Sequence, residues 1–158
     1  MMQLPDSLWR LAGQNALGEA DLAFADLVGR MQGTLSEPLL LAAALAFAAQ
    51  EAGHSCFDLP AYAETVFPRT ADDGAGDEGL PQFSITLPAL EPWLVALKNA
   101  PAVVASAHAE VTLPRPLVLD SCGRLYLHRF YQQEWQVAST IRERALQPVA
   151  LPREMVGT

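Results

Sequence analysis

The chain has 158 residues, of which 51% are hydrophobic and 18% are charged. This composition predicts a folded domain with a buried core and argues against an intrinsically disordered chain. The net charge of −8 and the scattering of nine arginines argue against a free-standing domain that wraps DNA. Two cysteines, Cys56 and Cys122, are too few for a disulfide scaffold, so we expect reduced thiols in a cytoplasmic protein.

The first third of the chain is predicted to be helical. Apolar residues at helical spacing indicate helices over residues 4–16 and 19–31, and Gly33 ends the second. Residues 39–50 have almost no polar face, which predicts a central helix that is packed on most sides. Gly53 supplies its C-terminal stop.

The middle of the chain contains two shorter predicted helices and a long polar segment. A short helix is predicted over residues 61–66 and a longer one over residues 90–99, with Trp93 in the core. Residues 69–82 are rich in acids and glycine, which predicts a solvated, mobile loop. Residues 102–107 are apolar but do not distinguish a helix from a strand.

A β-hairpin signal follows. Residues 117–119 and 124–127 are apolar runs that flank a four-residue turn ending at Gly123, where a positive φ is expected. A last helix is predicted over residues 130–146, with Trp135 in the core. The pattern predicts one compact, mainly α domain over residues 1–158, with a central apolar helix and one small β-hairpin.

No motif for nucleotide chemistry is present. The single lysine, Lys98, has no glycine near it, so there is no phosphate-binding Walker A loop. We therefore expect this chain alone to lack ATP hydrolysis, catalytic residues and a bound cofactor.

A metal site is an alternative interpretation. His54, Cys56, Cys122 and His128 are residue types that zinc favours. Neither the pair His54 and Cys56 nor the pair Cys122 and His128 has the usual spacing for presenting two ligands to one ion, so ordinary structural roles are the favoured interpretation.

Two segments carry a family resemblance. Residues 40–59 join an alanine-rich helix to a Gly-His-x-Cys-x-x-Leu turn formed by Gly53, His54, Cys56 and Leu59. Residues 116–138 read Pro-Leu-Val-Leu, a turn, then Gly-x-Leu-Tyr-Leu-x-Arg, an aromatic pair and x-x-Glu. The matching positions are Gly123, Leu125, Tyr126, Leu127, Arg129, Tyr131 and Glu134.

Both segments resemble the N-terminal domain of the RecD subunit of the RecBCD helicase–nuclease, exodeoxyribonuclease V. The resemblance covers roughly residues 18–145, with 69–82 looking like an insertion. One departure is Tyr131, where the family usually has tryptophan.

The resemblance implies a non-catalytic docking domain of a 5′→3′ DNA helicase subunit that acts in double-strand break repair and recombination. Such a domain packs against the RecC subunit, with RecB elsewhere in the complex. ATP, Mg²⁺ and DNA are handled by helicase domains missing here, toward which residues 147–158 would form a frayed linker. No membrane contact is implied.

Two surfaces are candidates for contacts. The region around Tyr126 and the first two helices is the predicted docking surface. Alternatively, Arg115, Arg124 and Arg129 around the hairpin would touch the phosphate backbone of single-stranded DNA.

Overall fold

The computed structural model describes residues 4–33, 35–68, 83–105 and 115–147. The predicted acidic loop at 69–82 and residues 148–158 of the predicted linker lie outside the described residues. No helix within the described ranges is long and apolar enough to cross a membrane.

The described part is mainly α, as predicted. Its helices are α1 (Asp6–Ala12), α2 (Glu19–Gln32), α3 (Glu37–Glu51), α4 (Leu59–Tyr62), α5 (Leu90–Lys98) and α6 (His128–Leu146). Its strands are β1 (Phe57–Asp58), β2 (Val66–Phe67), β3 (Ile85–Thr86), β4 (Val103–Ala105), β5 (Leu117–Leu119) and β6 (Arg124–Leu127).

Helix α3 lies at the centre of the core, which confirms the prediction from its apolar sequence. All eight residues from 39 to 46 are buried. Its alanines carry little side-chain bulk, so α2 packs along it, and α5, β1 and β6 contact it as well. The predicted stop is also confirmed: Gly53 has φ +88°, and the next amide, of His54, donates to the carbonyl oxygen of Ala49 at 2.9 Å.

The predicted hairpin is present and belongs to a larger sheet. Strands β5 and β6 pair antiparallel with Leu117 opposite Leu127, within the strand order β1-β6-β5-β4. At one edge Phe57 of β1 pairs antiparallel with Leu125. At the other edge β4 runs parallel to β5, which assigns part of the ambiguous segment 102–107 to a strand.

The predicted helix over residues 61–66 is wrong in its boundaries. Helix α4 begins earlier because the Asp58 carboxylate caps it, accepting a hydrogen bond from the Ala61 amide at 3.2 Å. It ends at Tyr62, and Val66 lies in β2, paired with Thr86 of β3. The partner strand comes from the far side of residues 69–82, so local periodicity did not reveal it.

The two tryptophans predicted to be core residues behave differently. Trp93 is fully buried, and its indole Nε1–H donates to the Pro38 carbonyl oxygen at 2.9 Å, which joins α5 to the start of α3. Trp135 is 49% exposed, so the core prediction is wrong for this residue. Helix α6 contacts β5 and β6, and none of its residues is buried.

Candidate functional site

The first family motif attaches the segment that follows α3 to the hairpin turn. Leu59 is fully buried, and its amide donates to the carbonyl oxygen of Gly123 at 3.2 Å. Cys56 is partly buried against the outer face of the sheet, next to Val118. The side chain of His54 is exposed, so this residue contributes to the turn through its backbone.

The hairpin turn is organised by Asp120, a residue that the sequence interpretation did not single out. Its Oδ1 accepts hydrogen bonds from the amides of Cys122 at 2.9 Å and Arg124 at 2.8 Å. Gly123 adopts φ +79°, as expected for this position. An aspartate three residues before a glycine is a known turn signal, so Asp-Ser-Cys-Gly was sufficient to identify it.

Tyr126 lies at the centre of a small cluster on the outer face of the sheet. Its ring meets that of Tyr131 edge-on, with centroids 5.3 Å apart, so two tyrosines of the second motif join β6 to α6. The Tyr126 hydroxyl lies 3.4 Å from Oδ2 of Asp120. Tyr126 is only 6% exposed and therefore offers little surface to a partner.

The electrostatics of this cluster favour neutral side chains. Burial raises the pKa of Tyr126 to about 12, with a further contribution from nearby Cys56, while a hydrogen bond from Arg124 opposes the rise. Burial also raises the pKa of the Cys56 thiol. Because a thiolate is the reactive form of cysteine, Cys56 is poorly suited to act as a nucleophile.

The remaining residues of the second motif divide between core and surface. Leu125 is fully buried, and Leu127 is partly buried against the main core. Arg129 and Glu134 lie on exposed positions of α6. The motif therefore combines residues that build the sheet with exposed residues of the last helix, of which Glu134 lies close enough to the cluster for its charge to add to the rise in the pKa of Tyr126 and of Cys56.

The three arginines considered for a DNA contact do not form one cluster. Arg124 begins β6 beside the turn, and the strand extends about 10 Å from there to Leu127 at 3.3 Å per residue. Arg129 lies beyond that far end, in the first turn of α6. Arg115 lies near that second end, where its carbonyl oxygen is 2.7 Å from Nδ1 of His128. Its guanidinium already donates to the Val103 carbonyl oxygen at 2.9 Å.

The four residues considered for a metal site are also dispersed. His54 lies in the exposed turn after α3, Cys56 on the outer face of the sheet, Cys122 in the hairpin turn and His128 at the start of α6. In the part of the chain that the structure describes, no three histidine, cysteine or acidic side chains are arranged to hold a metal ion.

An exposed apolar surface lies along α2. We define the α2 face as Leu27 and Met31, which are 45% and 49% exposed; Leu35, 59% exposed, lies beyond the end of the helix. One turn earlier, the ring of Phe24 packs on that of Phe47 of α3, with centroids 5.2 Å apart. Leu27 and Met31 are four residues apart and share one side of the helix, because its opposite side is the one packed in the core.

These features define a mainly α domain built around a buried alanine-rich helix and closed by a short hairpin. A family model described as the N-terminal domain of RecD, a subunit of the RecBCD enzyme, matches residues 13–126. The chain therefore belongs to this family, which confirms the predicted resemblance; the matched residues end within the second motif, so the part of the predicted resemblance after residue 126 stays a prediction. The comparison with curated proteins finds no match.

Proposed function

We propose that this chain is the non-catalytic N-terminal docking domain of a RecD subunit, and that it contacts RecC. The parent protein would be the 5′→3′ DNA helicase subunit of ATP-dependent exodeoxyribonuclease V, acting in the repair and recombination of double-strand breaks. The observation that carries this proposal is the family match over residues 13–126.

The α2 face supports a docking role. Within the matched range, the described large apolar residues that are exposed are Leu27, Met31, Leu35, Val66 and Val95. Leu27 and Met31 form the α2 face, whereas Leu35 follows the end of α2, and Val66 and Val95 lie on β2 and α5. Adjacent exposed apolar residues are typical of protein–protein contact sites, because covering them removes apolar area from water.

Binding to RecC by variants of the α2 face tests the proposed contact. Leu27→Glu and Met31→Glu each place a charge in the apolar patch, and we expect binding at least about 30-fold weaker, as for an interface hot spot of about 2 kcal/mol. Val95→Glu is the matched control, because Val95 is similarly exposed, at 54%, on a different helix. No binding by the folded wild-type chain would contradict the docking function, whereas unchanged binding by both variants would reject only this face.

The proposed lack of catalysis has its own test. Lys98, the one lysine of the chain, is exposed at the end of α5 and has no glycine-rich loop beside it. ATP and Mg²⁺ would be bound by other domains of the parent protein. We expect the purified chain to hydrolyse ATP at the background rate, and turnover that Lys98→Ala abolishes would contradict this expectation.

A further inference from the structure

Strand β4 lies at one edge of the four-stranded sheet, with β5 as its neighbour among the described residues. An edge strand has backbone N–H and C=O groups that no neighbouring strand pairs with, and these groups are a template for the addition of a further strand. The opposite edge strand, β1, has two residues and continues directly into α4, so it offers little length for such pairing. Strand β4, with three residues, is the longer of the two edges.

The register of β4 shows which of its backbone groups point to the free edge. Val103 lies opposite Leu117 in the parallel pair, and the Leu117 amide donates to the carbonyl oxygen of Ala102 at 3.4 Å. In a parallel ladder of this register, Leu117 bonds to the residues on either side of Val103 and not to Val103 itself. The N–H and C=O groups of Val103 therefore point away from β5.

Both of these outward groups have a partner within the chain. The Val103 amide donates to the carbonyl oxygen of Ala100 at 3.0 Å, in the turn that follows α5. The Val103 carbonyl oxygen accepts a hydrogen bond from Nη1 of Arg115 at 2.9 Å, across a separation of 12 residues. The acceptor that an added strand would use is therefore occupied by a charged side chain.

The backbone of Arg115 is itself held in place. Its carbonyl oxygen lies 2.7 Å from Nδ1 of His128, and the carbonyl oxygen of Pro116 accepts a hydrogen bond from the His128 amide at 2.9 Å. His128 is the first residue of α6, so the start of that helix fixes the segment from which the Arg115 side chain reaches β4. A fixed backbone lowers the entropy that is lost when this long side chain is ordered.

We propose that Arg115 is an edge-protecting residue, whose guanidinium occupies the outward carbonyl oxygen of Val103 and prevents β4 from accepting a strand of another protein molecule. An added strand would have to displace a hydrogen bond from a charged donor, which is stronger than one from a neutral donor. Charged side chains at sheet edges are a common means of preventing edge-to-edge association. This role is independent of the proposed RecC contact, because β4 and the α2 face are different surfaces.

Self-association of Arg115→Met, measured by sedimentation velocity on the full chain, tests this role. Methionine keeps much of the apolar stem and removes the donor. We expect the association constant to be at least about tenfold higher than that of the wild type, as for the loss of a hydrogen bond from a charged group. The infrared amide I band of the associated variant should show intermolecular β-strands. Arg129→Met is the matched control, because it removes the same charge from an exposed position of α6, and it should associate as the wild type does.

The Arg115 guanidinium can also be observed in the folded wild-type chain. In heteronuclear NMR spectra we expect slower rotation of its Nη1 group than of the same group in exposed Arg129, because the hydrogen bond to Val103 restrains it. If Arg115→Met does not melt cooperatively, this measurement decides.

Three results would overturn the proposal. The first is a cooperatively melting Arg115→Met variant that associates no more than Arg129→Met does. The second is an associated variant without the infrared band of intermolecular β-strands, which would place the contact away from the edge of β4. The third is equally fast rotation of the Arg115 and Arg129 guanidinium groups in the wild type.

Discussion

Gly123 holds the hairpin turn against the start of α4. Its φ of +79° belongs to the left-handed region, where a side chain is strained. A Cβ atom added at this position would lie 3.1 Å from both Cδ and Cγ of the Pro60 ring. The ring is stiff and cannot fold away from the added methyl group. Two separate costs, backbone strain and crowding, therefore meet at one residue.

Replacing this glycine by alanine should destabilise the domain by more than strain alone. We expect Gly123→Ala to lower the free energy of unfolding by about 1–2 kcal/mol from strain and by about 1–3 kcal/mol from crowding. Gly53→Ala is the control, because Gly53 has φ +88° but no atom within 4 Å of the added Cβ. If urea denaturation gave the same loss of unfolding free energy for Gly123→Ala and Gly53→Ala, the Pro60 ring would be able to shift without an energetic cost.

Asp21 is a buried acid at the start of α2. It is 2% exposed; its Oδ2 accepts a hydrogen bond from the Gly18 amide at 2.7 Å, and its Oδ1 has no hydrogen-bond partner. Burial raises the pKa of Asp21, the hydrogen bond lowers it, and the charge of Glu51 raises it further. The folded state therefore binds the Asp21 proton more tightly than the unfolded state does.

This shift predicts how stability varies with pH. Above its raised folded pKa, Asp21 is charged in both states and costs the folded state free energy; as pH falls through that pKa toward the unfolded value of 3.8, the cost disappears. Asp21→Asn removes the charge and keeps an acceptor for Gly18. We expect the unfolding free energy of the variant to exceed that of the wild type at pH 7, with a smaller difference at pH 4. A difference that grows on acidification would contradict the direction of the shift.

Helix α3 shows how an element predicted from sequence behaves in the core. Leu45 is 3% exposed, with neighbouring buried residues on both sides along the helix. Leu45→Asp leaves an unpaired charge or a neutralised acid in an apolar site and removes a packed side chain. We therefore expect the variant to be unfolded already at about 25 °C and to show no cooperative transition on heating. Ala52→Asp, at the exposed C-terminal cap of the same helix, is the control and should still melt cooperatively. A near-normal melt of Leu45→Asp would refute the central position of α3.

Two side chains, Arg10 of α1 and Gln14 just after it, hold Phe83, two residues before β3. The Gln14 amide oxygen accepts a hydrogen bond from the Phe83 amide at 3.1 Å, and the Gln14 amide nitrogen donates to the Phe83 carbonyl oxygen. The Arg10 guanidinium lies 3.7 Å from the centre of the Phe83 ring. Together these contacts fix the chain two residues before β3.

Hydrogen exchange at the Phe83 amide should separate the contribution of the Gln14 hydrogen bond from that of the Arg10 contact. Gln14→Ala removes the acceptor of the Phe83 amide, so we expect this amide to exchange at least about tenfold faster, which corresponds to about 1.4 kcal/mol. Arg10→Ala removes the cation from the ring face but leaves the hydrogen bond, and should change exchange at Phe83 far less. Equal protection in the wild type and Gln14→Ala would show that β2–β3 pairing alone holds this segment.

Local patterns predicted α3 and the hairpin because their signals lie within a few neighbouring residues. They did not predict the pairing of Phe57 with Leu125 or of Val103 with Leu117, since nothing in either short segment identifies a partner so distant in sequence. The apolar pattern of α6 likewise revealed an amphipathic helix but not that Trp135 would be half exposed. For the motif residues, spacing located the turn and Tyr126, whereas the burial of Tyr126 depends on its packing with Val118, Cys56 and Tyr131, which the sequence did not show.

An apolar-rich chain with net charge −8 folds around α3 and, among the residues that the structure describes, leaves apolar side chains exposed on the α2 face and on the second half of α6. Membership in the RecD N-terminal family makes a neighbouring subunit the expected partner for such a surface. We therefore expect effects on stability and on binding to separate: α2-face variants retain the wild-type melting temperature, while core variants such as Leu45→Asp no longer fold.

Calorimetric titration of the purified chain into RecC measures the proposed docking itself. We expect saturable one-to-one binding with a negative heat-capacity change between about 10 and 30 °C, because apolar surface is buried on docking. A chain that melts cooperatively on its own, yet produces no binding heat and no complex with RecC, would contradict the claim that this domain docks on that subunit.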